Sequence, residues 1–221
     1  MSAGTIDRRT APIVLASRSP RRRELLSLIV PVSRIVIQAP SSAEEPSFEG
    51  LHSIEAIEKW AAAIAREKLE TVRCEWTGTW SAIVAADTVI IGEDAEGSPV
   101  VLGQPPRTER WREVVRDWFH RYYFGRTHRA VTAVCACDPV GRVVQRIVTT
   151  RVTMSAEREA WLDWYLSMDE PLGKAGGYAL QGLASVFVER VEGSLSNVVG
   201  LPLAETREVL LQIGAIGEPV N

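Results

Sequence analysis

Only three cysteines and three histidines occur among the 221 residues, and neither set builds a framework. Three is an odd number for disulfides. Cys135 and Cys137 lie two apart in a strand-like segment, so both face the same side, with no disulfide partner or second metal-ligand pair nearby. They read as reduced core residues of a cytoplasmic protein. His52, His120 and His128 lack metal-ligand spacing, and no Ser, His and Asp arrangement suggests nucleophilic catalysis. No apolar run approaches the roughly 18 to 20 residues of a membrane span, and the apolar stretch 13–16 is too short for a secretion signal. A basic excess is lacking too: the formal charge is −3 and the pI near 5.7, which argues against a general polyanion-binding surface and so against nucleic acid as the partner. Internal repeats and low-complexity linkers are absent.

What is present is an ordinary core-forming composition, 46% hydrophobic and 24% charged, enough for one large or two small domains. Residues 13–15 read as a strand and 20–26 as a helix, followed by a Ser/Pro/Glu-rich loop over 39–50. Ile54, Ile57, Ala61 and Ile64 then step at helical spacing, and the next position of that stripe is Lys68, read as the helix end. Residues 81–92 form a long apolar strand buried on both faces, closed into a hairpin by 99–102. A helix over 108–124 carries Trp111, Val115, Trp118 and Tyr122 as core positions and stops at Gly125. Strands over 130–137 and 142–154, a helix capped by Ser155 and running to about 166, a glycine-rich passage 173–182, a strand over 186–191 and a final helix to 213 complete the order. Strands alternating with helices, together with hairpins, predict an α/β fold with a mixed sheet.

The chemistry-bearing residues are few. Ser19 is a suitable N-cap and Pro20 a suitable first helical residue, which places Arg21, Arg22 and Arg23 in the first helical turn. Cations are disfavoured there by about 0.3–1 kcal/mol each, because the free N–H groups and the dipole already favour an anion. A bound phosphate would reverse the sign; otherwise these guanidinium groups simply project into water. Asp87 stands in the middle of the apolar run 81–92, where an ionised carboxylate is costly unless paired. It is either bonded to backbone or serves as a metal ligand or as a general base that activates water. Glu44 and Glu45 offer a second carboxylate. Lys68 is either a snorkelling residue or a cation aimed at the same site. Phosphate-ester or anhydride hydrolysis uses this set.

These residues carry a family resemblance. The stretch 15–26 (LASRSPRRRELL), the stretch 65–68 (AREK), 86–89 (ADTV), Thr127-His128 with 132–134 (TAV), 174–178 (KAGGY) with Gln181-Gly182, and 197–203 (NVVGLPL) resemble, in order, the Maf family of nucleoside triphosphate pyrophosphatases, also called septum-formation proteins. The resemblance implies a mixed α/β, two-lobed fold with a deep cleft, like inosine-triphosphate pyrophosphatases, over residues 13–214, with 1–12 an N-terminal extension and 215–221 a tail. It implies hydrolysis of a nucleoside triphosphate to the monophosphate and pyrophosphate with a divalent cation, Mg²⁺ or Mn²⁺. Asp87 would be the proton acceptor and, with Glu44 or Glu45, a metal ligand, while Ser17, Arg21, Arg22 and Lys68 would bind the phosphates. Arg21, Thr88 and Gln181 match the branch preferring dTTP and UTP, with modified pyrimidine triphosphates as further substrates. Gln181 suits a uracil-type edge because a carboxamide supplies both a donor and an acceptor; the alternative is that it braces the glycine-rich loop. A homodimer is implied by the resemblance alone. One departure stands out: where the family usually reads Gly-Lys-Pro, this chain has Gly103-Gln104-Pro105, so a cation is missing unless Arg107 reaches in. The competing readings are a nucleotide-binding regulator of cell division with weak turnover, and a same-fold pyrophosphatase preferring purine or 7-methyl-GTP substrates.

Overall fold

A computed structural model describes residues 10–41 and 46–217. Its frame is a seven-stranded mixed sheet in the order β2-β1-β3-β5-β6-β7, with β4 beside β3. The strands are β1 (Ile13–Leu15), β2 (Ile35–Ile37), β3 (Ala82–Glu93), β4 (Pro99–Leu102), β5 (Thr127–Cys137), β6 (Val143–Met154) and β7 (Val188–Glu192). β1 pairs parallel with β2 and β3, and every other pairing is antiparallel, so the mixed sheet expected from the hairpins is present. The strand β2 has no counterpart in the sequence reading. Its three residues are half-buried or exposed at the sheet edge and give no alternation long enough to detect.

Helices cover both faces. α1 (Pro20–Ser27) starts as expected, with the Ser19 hydroxyl accepting from the Arg22 N–H and Pro20 at the first position. α2 (Ile54–Glu75) is capped by Ser53 and buries Ile57, Ala61, Ile64, Ala65, Leu69 and Val72. It runs seven residues beyond Lys68, because the apolar stripe shifts to Ala65, Leu69 and Val72; Lys68 is therefore interior to the helix and borders the buried face rather than ending it. The expected helix over 108–124 begins at Trp111 as α3 (Trp111–Trp118), then widens into a π-helical turn over Phe119–Tyr123, where the Phe124 N–H donates to the Phe119 carbonyl. Gly92 lets this turn approach β3, since a Cβ there would lie 2.9 Å from the Tyr122 ring. Ser155 caps a 3₁₀ turn (Ala156–Trp161) that only then becomes α4 (Leu162–Leu166). Another 3₁₀ turn (Leu183–Phe187) precedes β7, which delays that strand by two residues. The short helix α5 (Leu195–Val199) was not foreseen, and α6 (Leu203–Gln212) closes the chain.

The core divides accordingly. Under α2 lie Val14, Ile83, Ala85, Ala133, Cys135 and Cys137, and under α1 and α6 lie Ile13, Leu15, Val84, Ala86 and Val134. The two cysteines share one face as the spacing requires. Burial pushes the Cys135 thiol up to about 12 and the Cys137 thiol up to about 11, so both are inert at neutral pH. A second, aromatic lobe packs Trp111, Phe119, Tyr122, Tyr123, Tyr165 and Phe187 around the far end of β3. Trp76 and Trp80 flank the α2 core, while Trp118 packs on the aromatic lobe, so these three tryptophans fill hydrophobic layers.

Candidate functional site

The site follows from how β3 is paired. On one edge β1 holds residues 82–84 and β4 holds 90–93, while β5 runs unbroken along the other edge. Between β1 and β4, residues 85–89 have no strand neighbour on that edge among the described residues. The chain leaving β1 turns across the start of this gap, with the Ala16 N–H donating to the Val84 carbonyl at 2.8 Å. A cleft of about 1120 Å³ opens there, with Phe48 and Ile64 of the sheet lobe on one side and Leu102, Ala175 and Tyr178 of the aromatic lobe on the other. The two-lobed arrangement with a deep cleft is therefore present.

Alternation along β3 sends neighbouring side chains to opposite faces of the sheet. Asp87 lies on the α2 face, in the row of Ile83, Ala85, Val89 and Ile91, and Thr88 lies on the other. Both are part-exposed while Ala82–Ala86 and Val89–Gly92 are buried, so the strand is open at the two positions that face the cleft. Lys68 reaches from α2 and its ammonium meets Asp87 Oδ1 at 2.5 Å, with the side chains 19% and 13% exposed. The carboxylate in the apolar strand is thus paired with a side chain, not with backbone. Its Oδ2 has no hydrogen bond among the described residues.

The two arginines of the first helical turn do different things. Arg22 is a strut: Nε donates to the Gly200 carbonyl at 2.9 Å, Nη2 to Thr88 Oγ1 at 3.0 Å and Nη1 to Ser17 Oγ at 3.4 Å. Gly200, at φ 125° after α5, brings its carbonyl within reach of this guanidinium. Thr88 is further tied to Thr132 Oγ1 at 2.9 Å. Ser17 is buried and its hydroxyl oxygen also accepts from the Ser19 N–H at 3.1 Å, so the loop is fixed by its own side chains. Arg21 lines the cleft, and its guanidinium makes no hydrogen bond or ion pair among the described residues. Its burial lowers its pKa from the ordinary arginine value.

The opposite wall is the glycine-rich passage. Gly176 and Gly177 both take positive φ, 71° and 68°. Tyr123 and Tyr165 donate to their carbonyls at 2.8 and 3.1 Å, and the Gly176 N–H donates to the Gly103 carbonyl at 2.9 Å. His128 Nε2 and the Tyr178 hydroxyl are 2.8 Å apart. Complete burial pulls the His128 pKa down to about 3, so the imidazole is neutral. The Glu170 carboxylate accepts from the N–H groups of Leu183 at 2.7 Å and Ala184 at 3.0 Å, closing the loop behind Gln181. Gln181 itself is exposed, lines the cleft and has no hydrogen-bond partner among the described residues. The hydrogen bonds that brace the loop come from Glu170 and the tyrosines. Sequence reading missed these supports, since nothing in it marks Tyr123 or Tyr165 as a donor to a glycine carbonyl 53 or 12 residues on, or Glu170 as an acceptor for N–H groups 13 and 14 residues away.

Gln104 and Arg107 both line the cleft, as do Arg18 and Lys174. Glu44 and Glu45 lie outside the described residues, and the acid that the described part of that loop brings to the cleft is Glu49. No group of three or more His, Cys, Asp or Glu side chains that could hold a metal ion occurs among the described residues. The donor set fits a hard cation of the Mg²⁺ type, which takes one or two carboxylates and completes its shell with phosphate oxygens and water. Asp87 supplies one such carboxylate, with an oxygen to spare.

A family model described as "Maf-like protein" matches residues 12–213. A dTTP/UTP pyrophosphatase of Myxococcus xanthus is 39% identical over 203 residues, covering 91% of this chain and 92% of that protein. The dTTP/UTP pyrophosphatases of Anaeromyxobacter dehalogenans and Hyphomonas neptunium are each 37% identical, over 91% and 93% of this chain and 94% and 97% of their own lengths. Among solved structures, a nucleoside-triphosphatase / dITP/XTP pyrophosphatase from Mycobacterium abscessus matches with a TM-score of 0.40 and 19% identity, over 66% of this chain and 73% of that one. A HAM1 protein from Coxiella burnetii matches with a TM-score of 0.40 and 13% identity, over 66% and 74%.

Proposed function

The chain belongs to the Maf family, and from that premise we propose that it hydrolyses dTTP and UTP, and modified pyrimidine triphosphates, to the nucleoside monophosphate and pyrophosphate. The observation that carries the reading is the cleft itself: Arg21 and Lys174, which have no carboxylate partner among the described residues, line it together with the strand-borne carboxylate of Asp87 and the exposed carboxamide of Gln181.

In this reading the triphosphate lies along the open edge of β3. Arg21 and the N–H groups of the first turn of α1 draw the phosphates in, and Ser17 adds a hydroxyl. Lys68 holds Asp87 by Oδ1, which leaves Oδ2 to take a proton from the attacking water as its oxygen bonds to phosphorus and the bond to the pyrophosphate oxygen breaks. Arg22 keeps Thr88, Ser17 and Gly200 in register with that carboxylate. Gln181 pairs with the acceptor–donor–acceptor edge of a thymine or uracil ring. A divalent cation, Mg²⁺ or Mn²⁺, held by Asp87 and by Glu44 or Glu45, would neutralise charge that builds on the phosphate oxygens. Most of the acceleration comes from such positioning and charge complementarity.

A cytoplasmic setting suits the three free cysteines, and a homodimer belongs to the same reading. The test is a panel of dTTP, UTP, CTP, dGTP, ITP and 7-methyl-GTP with Mg²⁺ or Mn²⁺, following pyrophosphate release. We expect dTTP and UTP to be cleaved about tenfold or more faster than the purines, in line with rejection by an unpaired polar contact. A purine or 7-methyl-GTP preference would overturn the role of Gln181, and binding without release would replace the enzyme by a nucleotide-binding regulator.

A further inference from the structure

A second cation in the cleft has no counter-charge among the described residues. Lys174 begins the glycine-rich turn, lines the cleft, and is paired with no carboxylate among the described residues. Its ammonium donates to the Glu170 backbone carbonyl at 2.5 Å, while the Glu170 carboxylate is spent on the N–H groups of Leu183 and Ala184. The charge is held in place without being neutralised. Burial lowers the Lys174 pKa, and the nearby Arg21 charge lowers it further against a smaller opposing pull from Glu170. Two like charges therefore face each other across the cleft, each desolvated, which is unfavourable until an anion enters between them.

The backbone makes this placement rigid. Lys174 stands two residues before Gly176, whose N–H is bonded to the Gly103 carbonyl and whose carbonyl accepts from Tyr123. The turn that carries Lys174 is thus pinned to the segment that carries Gln104. An ammonium on that side and a guanidinium at the start of α1 line the same cleft, and both are suited to phosphate oxygens.

We propose that Lys174 is a phosphate-binding residue, forming with Arg21 a two-sided clamp on the polyphosphate part of the substrate. The proposal rests on the cleft accepting a nucleoside triphosphate. The rival role is a tether, in which Lys174 only ties the turn through Glu170.

Calorimetric binding of inorganic tripolyphosphate and of thymidine to the full chain separates the two, with dTTP kinetics alongside. We expect Lys174→Met to weaken tripolyphosphate about ten- to hundredfold, the loss of one charge-assisted contact, and to raise KM for dTTP in parallel with kcat changed less than about threefold. Thymidine binding should stay within about twofold, and Lys174→Arg should restore most of the tripolyphosphate affinity. Tripolyphosphate binding by Lys174→Met within about twofold of wild type would overturn the clamp, as would equal losses for tripolyphosphate and thymidine, which is what a tether predicts. Wild-type protein that binds tripolyphosphate but cleaves no triphosphate would overturn the functional reading instead, and wild type that binds no tripolyphosphate would overturn both.

Discussion

Arg21 and Arg22 are adjacent in sequence and differ in almost everything else. One guanidinium lines a cleft with no hydrogen bond among the described residues, and the other joins α1 to β3 and to the carbonyl of Gly200. Arg21→Ala should therefore raise KM for dTTP about tenfold or more while thermal stability holds, whereas Arg22→Ala should lower both kcat and the unfolding midpoint, because it strands several partners at once. Steady-state kinetics paired with thermal melts check this; equal behaviour of the two variants would contradict it. The sequence pattern placed both residues at the helix start but could not divide their roles, since the division depends on Gly200, 178 positions away from Arg22. His128 carries a different residue-scale consequence. Its folded pKa of about 3 lies below the unfolded value of about 6.5, so between those limits the unfolded chain binds a proton that the folded one refuses. Stability should fall as pH drops from about 6.5 toward 3, with a slope of about 1.4 kcal/mol per pH unit from this group, and Tyr123 and Tyr178, which pack against it, add no charge there. Denaturant midpoints of wild type and His128→Gln across pH 4–6.5 should diverge; parallel profiles would contradict the assignment.

At the scale of elements, the strongly patterned pieces were legible: the strand around Asp87, the hairpin, the capped start of α1 and the apolar face of α2. Each is dictated by local period or by a cap, which a sequence displays directly. The pieces that were not legible owe their form to neighbours. α2 passes Lys68 because a second set of apolar residues meets the sheet, and the π turn after α3 forms where Tyr122 packs against Gly92. In the proposed reading the glycine-rich turn leads to the residue that reads the base, and Gly176 is closely packed within it. A Cβ there would lie 2.5 Å from the Tyr123 hydroxyl and 2.9 Å from Ile90 at a φ of 71°, whereas one at Gly173 would meet nothing within 4 Å at a φ of 70°. Gly176→Ala should cost about 1–3 kcal/mol and raise KM, while Gly173→Ala pays only the backbone strain, about 1 kcal/mol. Melting curves of the two variants, expected to differ by several degrees, read this directly; coincident curves would show that the close packing at Gly176 is not limiting.

At the scale of the molecule, two lobes share one strand. β3 starts in the layer under α1 and α2, crosses the gap between β1 and β4, and ends against the aromatic cluster. Asp87 sits in that crossing, so the carboxylate is fixed by the same strand that joins the lobes, with Lys68 supplied from one side and the glycine-rich turn from the other. The α/β mixed sheet followed from the order of elements and the cleft from the family resemblance, but the break in strand pairing that creates the cleft followed from neither, because β1 and β4 compete for one edge only once the chain is folded. The most direct test of the account is the product ratio from dTTP and Mg²⁺ with wild type and Asp87→Asn side by side. Wild type should release dTMP and pyrophosphate in equal amounts, and Asp87→Asn should retain nucleotide binding while its kcat falls about 10²–10⁴-fold. Release of single phosphates by wild type, or undiminished turnover by Asp87→Asn, would contradict it.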